Sequence, residues 1–106
     1  MDIEAKIEEI KAEITANPVM LYMKGNKDFP MCGFSAQVVS ILNAVDANFE
    51  TRDVLQDQAL RQAIKVHANW PTIPQLYING NFVGGCDIVT ELFQEGDLKE
   101  MLPQAE

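Results

Sequence analysis

Apolar and polar positions alternate along the chain with two periods, one helical and one extended. The first helical pattern consists of four isoleucines at spacings of three and four residues: Ile3, Ile7, Ile10 and Ile14. Glu and Lys residues lie between them, so the pattern predicts an amphipathic helix of about 13 residues with one apolar face. Asn17 precedes a proline, a position that disfavours helical geometry, and we expect the helix to end there.

Shorter apolar runs predict four strands. The run Val19–Met23 is too short for a helix and predicts a buried strand. The other three strands are predicted over residues 49–54, 75–78 and 82–83. Asn79, Gly80 and Asn81 predict a tight hairpin turn between the last two strands, because such turns need residues that tolerate positive φ.

Helical spacing of apolar residues predicts the remaining helices over residues 32–45 and 58–67, and as two short patterns around 88–93 and 98–102. The order is then α-β-α-β-α-β-β-α-α. Strands separated by helices imply parallel pairing, and the hairpin adds an antiparallel strand. We therefore expect an α/β fold with a mixed four-stranded sheet and helices on both faces, as a single domain over residues 1–106.

Charge and composition restrict the function. Eight Lys and Arg against sixteen Asp and Glu give a net charge of −8, which argues against nucleic-acid partners and against anionic membrane surfaces. No apolar run approaches the ~20 residues of a membrane span, and no secretory signal opens the chain. We expect a cytoplasmic protein whose two cysteines are reactive thiols or metal ligands before they are a structural disulfide.

The clearest candidate for chemistry is Cys32. It follows a loop after the first predicted strand and begins a predicted helix, where unpaired backbone N–H groups favour an anion. We expect a lowered pKa and a populated thiolate, with Lys24 adding positive charge nearby. The alternative is a buried cysteine that acts as a small apolar residue. A dithiol motif would have its second cysteine at position 35, but Ser35 is there, so disulfide exchange needs an external thiol such as glutathione.

Other residues that often carry chemistry are expected to be structural. His67 is the only histidine, and it lies near a helix end where a cation is mildly favoured. Trp70 is expected to pack beside a loop or, if it is partly exposed, to serve a partner surface. Three methionines are expected in the core: Met20, Met23 and Met101. One histidine and two distant cysteines give no chelating spacing, so no metal site of the His/Cys type is predicted.

Several motifs occur in the order and at the spacing of a known family. They are Lys-Gly at 24–25, Pro-Met at 30–31, Cys-Gly-Phe-Ser at 32–35, Trp-Pro-Thr-Ile-Pro-Gln-Leu-Tyr at 70–77 and Gly-Gly-Cys-Asp at 84–87. Over residues 3–102 the chain thereby resembles the monothiol glutaredoxins of the Cys-Gly-Phe-Ser type, in their short single-domain form. The resemblance implies a thioredoxin-like fold, glutathione binding and a [2Fe-2S] cluster shared across a homodimer, with Cys32 as the iron ligand. It also implies BolA-type proteins and iron–sulfur client proteins as partners.

The resemblance further implies which residues bind glutathione. Lys24 and Arg61 correspond to the residues that bind its glycine carboxylate, although Arg61 taken alone would be a solvated surface cation. Ile73 precedes Pro74, which the family has in the cis form, and the backbone of Ile73 would pair with the cysteine part of glutathione. Without the resemblance, a trans proline at the start of a strand is the simpler expectation.

A second group of implied glutathione ligands follows Gly84 and Gly85. The two glycines resemble a site where a carboxylate approaches the N-terminal amides of a helix closely. Cys86 would contact glutathione through its backbone or be a partly buried small residue, and in the family a disulfide with Cys32 is also possible. Asp87 would meet the α-amino group of glutathione or act as the N-cap of the helix.

Three functions are compatible with these residues. The first is a glutathione-dependent [2Fe-2S] carrier in cluster transfer and iron regulation, and the second is a glutathione-dependent oxidoreductase that uses Cys32. The third is a thioredoxin-fold interaction module. The lengthened loop 25–31 before Cys32 is typical of the cluster-binding group of the family, so we expect a carrier with at most weak reductase activity.

Overall fold

The computed structural model describes residues 2–103 of the chain. Within this range the chain forms five α-helices, four strands and one turn of 3₁₀ helix, in the order expected from the sequence. The elements are α1 (Ile3–Ala16), β1 (Val19–Met23), α2 (Gly33–Ala44), β2 (Glu50–Asp53), the 3₁₀ turn (Val54–Gln56), α3 (Gln58–Ala68), β3 (Gln75–Ile78), β4 (Asn81–Gly84), α4 (Cys86–Glu95) and α5 (Asp97–Met101). No helix in this range is long and apolar enough to cross a bilayer.

The four strands form one mixed sheet in the order β2-β1-β3-β4. β1 pairs with β2 in parallel, whereas β3 pairs antiparallel with both β1 and β4. The parallel orientation expected for β3 is therefore wrong. β3 begins at Gln75, opposite Tyr22 near the end of β1, and β2 ends at Asp53, opposite Met23. The segment between β2 and β3 returns the chain to the end of the sheet that it left, so β3 has to run back along β1 in the opposite direction.

Both faces of the sheet are covered by helices, as expected from the alternation of elements. All five residues of β1 are buried, and they alternate between two apolar clusters because successive strand residues point to opposite faces. Leu21 and Met23 lie in the cluster beneath α2, α4 and α5. Met20 and Tyr22 lie in the cluster beneath α1 and α3, together with Ile10 of the predicted isoleucine face. β1 is thus central to both cores.

Local chemistry explains where several elements begin and end. Asn79 and Gly80 both have positive φ, as the predicted hairpin turn between β3 and β4 requires. The side chain of Asp2 accepts a backbone hydrogen bond and caps α1. Met101, expected in the core, is 38% exposed instead. α5 has five residues and buries Leu98, which leaves its last residue at the surface.

Candidate functional site

The loop that connects β1 to α2 is a tight, hydrogen-bonded structure. Gly25 has a φ of +86°, and a Cβ on it would lie 2.3 Å from the backbone oxygen of Phe29, so the turn requires glycine. The backbone N–H of Met31 donates to the carbonyl of Lys24 at 2.9 Å and closes the loop. The loop therefore returns the chain to the end of β1 just before Cys32.

Cys32 is the N-cap residue of α2, and its thiol is free and partly buried. The backbone N–H of Ser35 is the largest cause that lowers the pKa of this thiol. The N–H of Phe34, the charge of Lys24 and the hydroxyl of Ser35 lower it further, and together they outweigh the opposing effect of burial. Unpaired backbone N–H groups in the first turn of a helix stabilise an anion, and their position beside Sγ therefore favours the thiolate. The lowered pKa agrees with the expectation from the sequence. It does not agree with the alternative, in which Cys32 is an inert, buried apolar residue.

Ser35 lies one helical turn after Cys32 and is fully buried. Its Oγ accepts a hydrogen bond from the backbone N–H of Lys24 at 3.2 Å. The hydroxyl thereby joins the first turn of α2 to the end of β1, at the position where a dithiol motif would have its second cysteine. Cys86 is also a free thiol, and no disulfide joins it to Cys32 in this structure.

A groove of about 400 Å³ lies beside Cys32. Its walls come from the end of β1, the start of α2, one side of α3, the loop between α3 and β3, and the start of α4. The groove brings together all residues singled out from the sequence for the site: Lys24, Cys32, Arg61, Ile73, Cys86 and Asp87. Residues that are distant in sequence are therefore neighbours on one surface, while the role of each stays a prediction.

The loop between α3 and β3 forms one wall of the groove. The peptide bond between Ile73 and Pro74 is cis, as the resemblance implies and contrary to the simpler expectation of a trans proline. Gln75 is fully buried, and its Nε2 donates to the carbonyls of Trp70 and Thr72, each at 3.2 Å. Because breaking a buried hydrogen bond leaves a polar group without a partner, these two bonds fix the path of the loop beside Ile73.

The start of α4 forms another wall and depends on two glycines. Gly84 has a φ of +153°, and a Cβ on it would lie 2.7 Å from a side chain of α4. Gly85 is the N-cap of α4, and a Cβ on it would lie 3.2 Å from the carbonyl of Pro74. The alternative that Asp87 caps this helix is wrong, because the helix already begins at Cys86. Asp87 instead lies exposed in the first turn and lines the groove.

Three cations line the groove: Lys24, Arg61 and Lys65. The chain has only eight Lys and Arg and a net charge of −8, so the groove concentrates positive charge and favours an anionic ligand. Lys65 was not predicted as a site residue. It lies one turn after Arg61 on α3, and two cations at i and i+4 on one helix are the feature of the sequence that identifies this face.

The surface around the reactive thiol is apolar and exposed. Phe29, Met31 and Phe34, which we call the apolar rim, are 76%, 67% and 63% exposed. Trp70, expected to be a packing residue, packs on Phe82 with 5.6 Å between ring centroids and also lines the groove. Exposure of an aromatic residue has no signature in a single sequence, so the rim was not predicted. Large exposed apolar side chains grouped in one segment are typical of a surface that contacts another macromolecule.

The fold and the site define a class of protein. It has a thioredoxin-like fold of one mixed four-stranded sheet with helices on both faces. One cysteine with a lowered pKa begins a helix, a serine replaces the second thiol of a redox pair, and a positively charged groove lies beside them. These features are those of a thioredoxin-fold protein with one reactive thiol beside a groove that favours anions.

Comparison with known proteins identifies the family. Residues 19–83 match the glutaredoxin family. The chain is 55% identical over 104 residues to an uncharacterised monothiol glutaredoxin (ycf64-like) of Synechocystis, covering 98% of this chain and 94% of the relative. It is 47% identical over 98 residues to glutaredoxin 4 of Escherichia coli, covering 92% and 85%. The solution structure of reduced poplar apo GrxS14 has a TM-score of 0.79 at 48% identity, covering 88% of this chain and 85% of that one. The chain therefore belongs to the glutaredoxin family, among its monothiol members.

Proposed function

We propose that the groove binds glutathione and places the sulfur of this tripeptide beside Cys32. Glutathione carries two carboxylates, one ammonium group and one thiol. The groove presents three cations, the Asp87 carboxylate and the Cys32 thiol on a single surface. The observation that carries the proposal is the convergence of Lys24, Arg61 and Lys65 on Cys32 in a chain that is otherwise acidic.

The glycine end of glutathione would lie against α3 and the end of β1. Lys24 and Arg61 would bind its carboxylate through charge-assisted hydrogen bonds. Lys65, one turn along α3 from Arg61, adds positive charge at the same side of the groove. The backbone of Ile73 would pair with the cysteine part of the peptide, as an added strand pairs with a sheet edge.

The γ-glutamyl end would lie at the start of α4. The N-terminal amides of this helix, at Gly85, Cys86 and Asp87, favour a carboxylate because they have no partners within the helix. The side chain of Asp87 would accept a hydrogen bond from the α-ammonium group. Cys86 would contribute its backbone, so its thiol is dispensable for this contact.

We also propose that two copies of the chain carry a [2Fe-2S] cluster as cargo. Clusters of this type commonly have four thiolate ligands. Among residues 2–103, no group of three or more His, Cys, Asp or Glu side chains is arranged to bind a metal ion, so one chain would not supply the set. The lowered pKa of Cys32 suits a thiolate ligand. With one bound glutathione thiolate, each chain would supply two ligands and two copies four.

Such a carrier would transfer its cluster to iron–sulfur client proteins, with BolA-type proteins as further partners, as the resemblance to monothiol glutaredoxins implies. The residues of the apolar rim flank Cys32 in sequence, with Phe29 and Met31 before it and Phe34 after it. An exposed apolar surface at this position supports contact between macromolecules at the place where the cluster would be bound.

A second candidate activity is glutathione-dependent disulfide exchange, which the lowered pKa of Cys32 favours. The Cys32 thiolate would attack the glutathione sulfur of a mixed disulfide, forming a Cys32–glutathione disulfide and releasing the client thiolate. Because Ser35 offers no second thiol, another glutathione thiolate would attack this intermediate. That step returns the Cys32 thiolate and yields glutathione disulfide. We expect this activity to be weak beside cluster binding.

Calorimetric titration with glutathione tests the binding site. Lys24→Ala and Arg61→Ala each remove a charge-assisted hydrogen bond worth about 1.5–3 kcal/mol and should weaken binding roughly tenfold or more. Lys99→Ala on α5 removes the same charge outside the groove and should leave the affinity unchanged. Equal affinities for all three variants would contradict the assignment.

Purification without oxygen in the presence of glutathione separates the two candidate functions. A cluster carrier should be coloured and should have the visible absorption of a [2Fe-2S] centre. An oxidoreductase should be colourless and should reduce a glutathionylated peptide with glutathione as the reductant. A colourless protein with fast turnover would reverse our order of the two functions.

A further inference from the structure

The carboxylate of Asp53 connects the two segments that carry the groove cations. Asp53 is the last residue of β2 and is partly buried. Its Oδ1 accepts a hydrogen bond from the backbone N–H of Gly25 at 2.9 Å and another from that of Leu55, also at 2.9 Å. Gly25 directly follows Lys24, and Leu55 lies in the 3₁₀ turn that leads into α3.

The two segments bonded to Asp53 place different cations. On one side, the tight turn at Gly25 sets the direction in which the chain leaves Lys24. On the other side, the 3₁₀ turn leads to Asp57, which caps α3. α3 then presents Arg61 and Lys65 to the groove. One oxygen atom is therefore bonded to both halves of the cationic site, although Asp53 does not line the groove itself.

We propose that Asp53 is a positioning residue that sets the spacing between Lys24 and the two cations of α3, and through this spacing the affinity of the groove for an anionic ligand. Both donors are backbone amides, so the role needs an acceptor at Oδ1 and does not need a charge. A negative charge close to a site for anions opposes binding, so the value of a carboxylate here is its hydrogen-bonding geometry. The ligand in this proposal rests on the proposed binding of glutathione.

Three substitutions separate geometry from charge. Asp53→Asn keeps an acceptor oxygen and removes the charge, whereas Asp53→Ala removes both. Asp53→Glu keeps the charge and displaces the oxygen by one methylene. We expect Asp53→Ala and Asp53→Glu to weaken glutathione binding about fivefold to tenfold in calorimetry, and Asp53→Asn to stay within about twofold of wild type.

Asp2→Ala is the matched control for lost stability. It removes a side-chain hydrogen bond to a backbone N–H of the same length, 2.9 Å, at the start of α1. Asp2 does not line the groove. Its removal should lower the free energy of unfolding, by less than Asp53→Ala because one hydrogen bond is lost instead of two, and should leave the affinity for glutathione unchanged.

The pH dependence of Cys32 alkylation provides a readout that needs no glutathione. Because the charge of Lys24 lowers the pKa of Cys32, displacement of Lys24 in Asp53→Ala should move the alkylation midpoint upward. Asp53→Asn and Asp2→Ala should not move it upward. A loss of stability alone would not produce this pattern.

The outcomes distinguish the two proposals. Unchanged affinity and midpoint in Asp53→Ala would overturn the positioning role, and so would equal losses in Asp53→Asn and Asp53→Ala, because an acceptor oxygen at this position would then not be enough to hold the site. If Asp53→Ala does not fold, Asp53→Glu against Asp53→Asn makes the same comparison. If the wild-type chain does not bind glutathione, the proposed function fails, while the alkylation midpoint still decides the role of Asp53.

Discussion

At the scale of single residues, the lowered pKa of Cys32 arises largely from backbone N–H groups, which every side-chain substitution except proline leaves in place. The N–H of Ser35 is the largest cause, and the N–H of Phe34 contributes as well. The charge of Lys24 and the hydroxyl of Ser35 add smaller contributions from side chains. A thiol at a helix N-terminus therefore keeps a lowered pKa even when its neighbours change, as long as α2 begins at the same residue.

This division of causes predicts the response of the thiol to substitution. In a Cys86→Ser background, where Cys32 is the only thiol, iodoacetamide reactivity against pH should have a midpoint below the ordinary value of about 8.5. Lys24→Gln and Ser35→Ala should each raise the midpoint without bringing it to that value, and Lys99→Gln should not change it. A midpoint near 8.5 before any of these changes would remove the basis for a resting thiolate.

The pKa of His67 is shifted in the direction opposite to the one that its place in the sequence suggests. It lies in the last turn of α3, where the helix dipole favours a cation, and packs on Tyr77 with 5.8 Å between ring centroids. Burial nevertheless lowers the pKa of the imidazole, and the charge of Lys11 lowers it further. Loss of solvation thus outweighs the helix terminus at this position.

The lowered pKa of His67 makes stability depend on pH. As the pH falls below about 6.5, the unfolded chain binds a proton that the folded chain still resists, so the free energy of unfolding should decrease. The contribution of neutral His67 to the free energy of unfolding should be fully present above that pH and should be lost as the pH falls toward the pKa of His67 in the folded chain. In His67→Gln, the free energy of unfolding measured by urea denaturation should depend less on pH between pH 7 and 5. NMR titration of this single histidine reads its pKa directly, and a value of 6.5 or higher would contradict the argument.

At the scale of elements, the loop between β1 and α2 depends on one glycine and tolerates change at another. Gly25→Ala puts a Cβ 2.3 Å from the carbonyl oxygen of Phe29 in left-handed backbone, and should lower the free energy of unfolding by about 1–3 kcal/mol or more. Gly33→Ala is the matched control, because nothing lies within 4 Å of its Cβ position. Urea denaturation should show it within about 0.5 kcal/mol of wild type. Similar losses in the two variants would show that the tight turn at Gly25 is not the cause.

The elements of the fold could be predicted from the sequence because each has a local cause. The isoleucine spacing of α1, the apolar run of β1 and the Asn79-Gly80 turn act within a few residues of one another, and all three predictions are confirmed. The direction of β3 depends instead on the route of the chain from β2 through α3. No local pattern encodes that route, so the parallel assignment failed.

The residues of the site could be predicted where a family motif or position includes them, and not elsewhere. The six residues implied by the family resemblance all line the groove, five of them from the motifs and Arg61 from its position between them. Lys65 belongs to no motif and was missed. The N-cap role of Asp87 was wrong because Gly85 is the N-cap residue of α4. A side chain at Gly85 would lie close to the carbonyl of Pro74. Cap positions depend on where a helix starts to within one residue.

At the scale of the whole molecule, charge is divided between the groove and the rest of the surface. Three of the eight cations line the groove, whereas α4 and α5 carry clustered carboxylates, and the charge of Glu91 raises the pKa of Glu95. The apolar rim flanks Cys32 in sequence, and its Phe34 lines the cationic groove. Two copies that meet through their rims would bury apolar surface, and bound glutathione carboxylates would neutralise the cations between them.

This arrangement predicts a dimer that depends on its cargo. If each copy contributes the Cys32 thiolate and one glutathione thiolate, anaerobic reconstitution should give a dimer with equal amounts of iron, sulfide and glutathione. Cys32→Ser should abolish cluster and dimer together, and Cys86→Ser should largely keep both. Removal of iron by a chelator should return the dimer to monomers, because the metal would supply most of the free energy of association. Size-exclusion chromatography with iron, sulfide and glutathione analysis measures all of these. A stable cluster in Cys32→Ser, or one that contains no glutathione, would show that the ligand set is wrong.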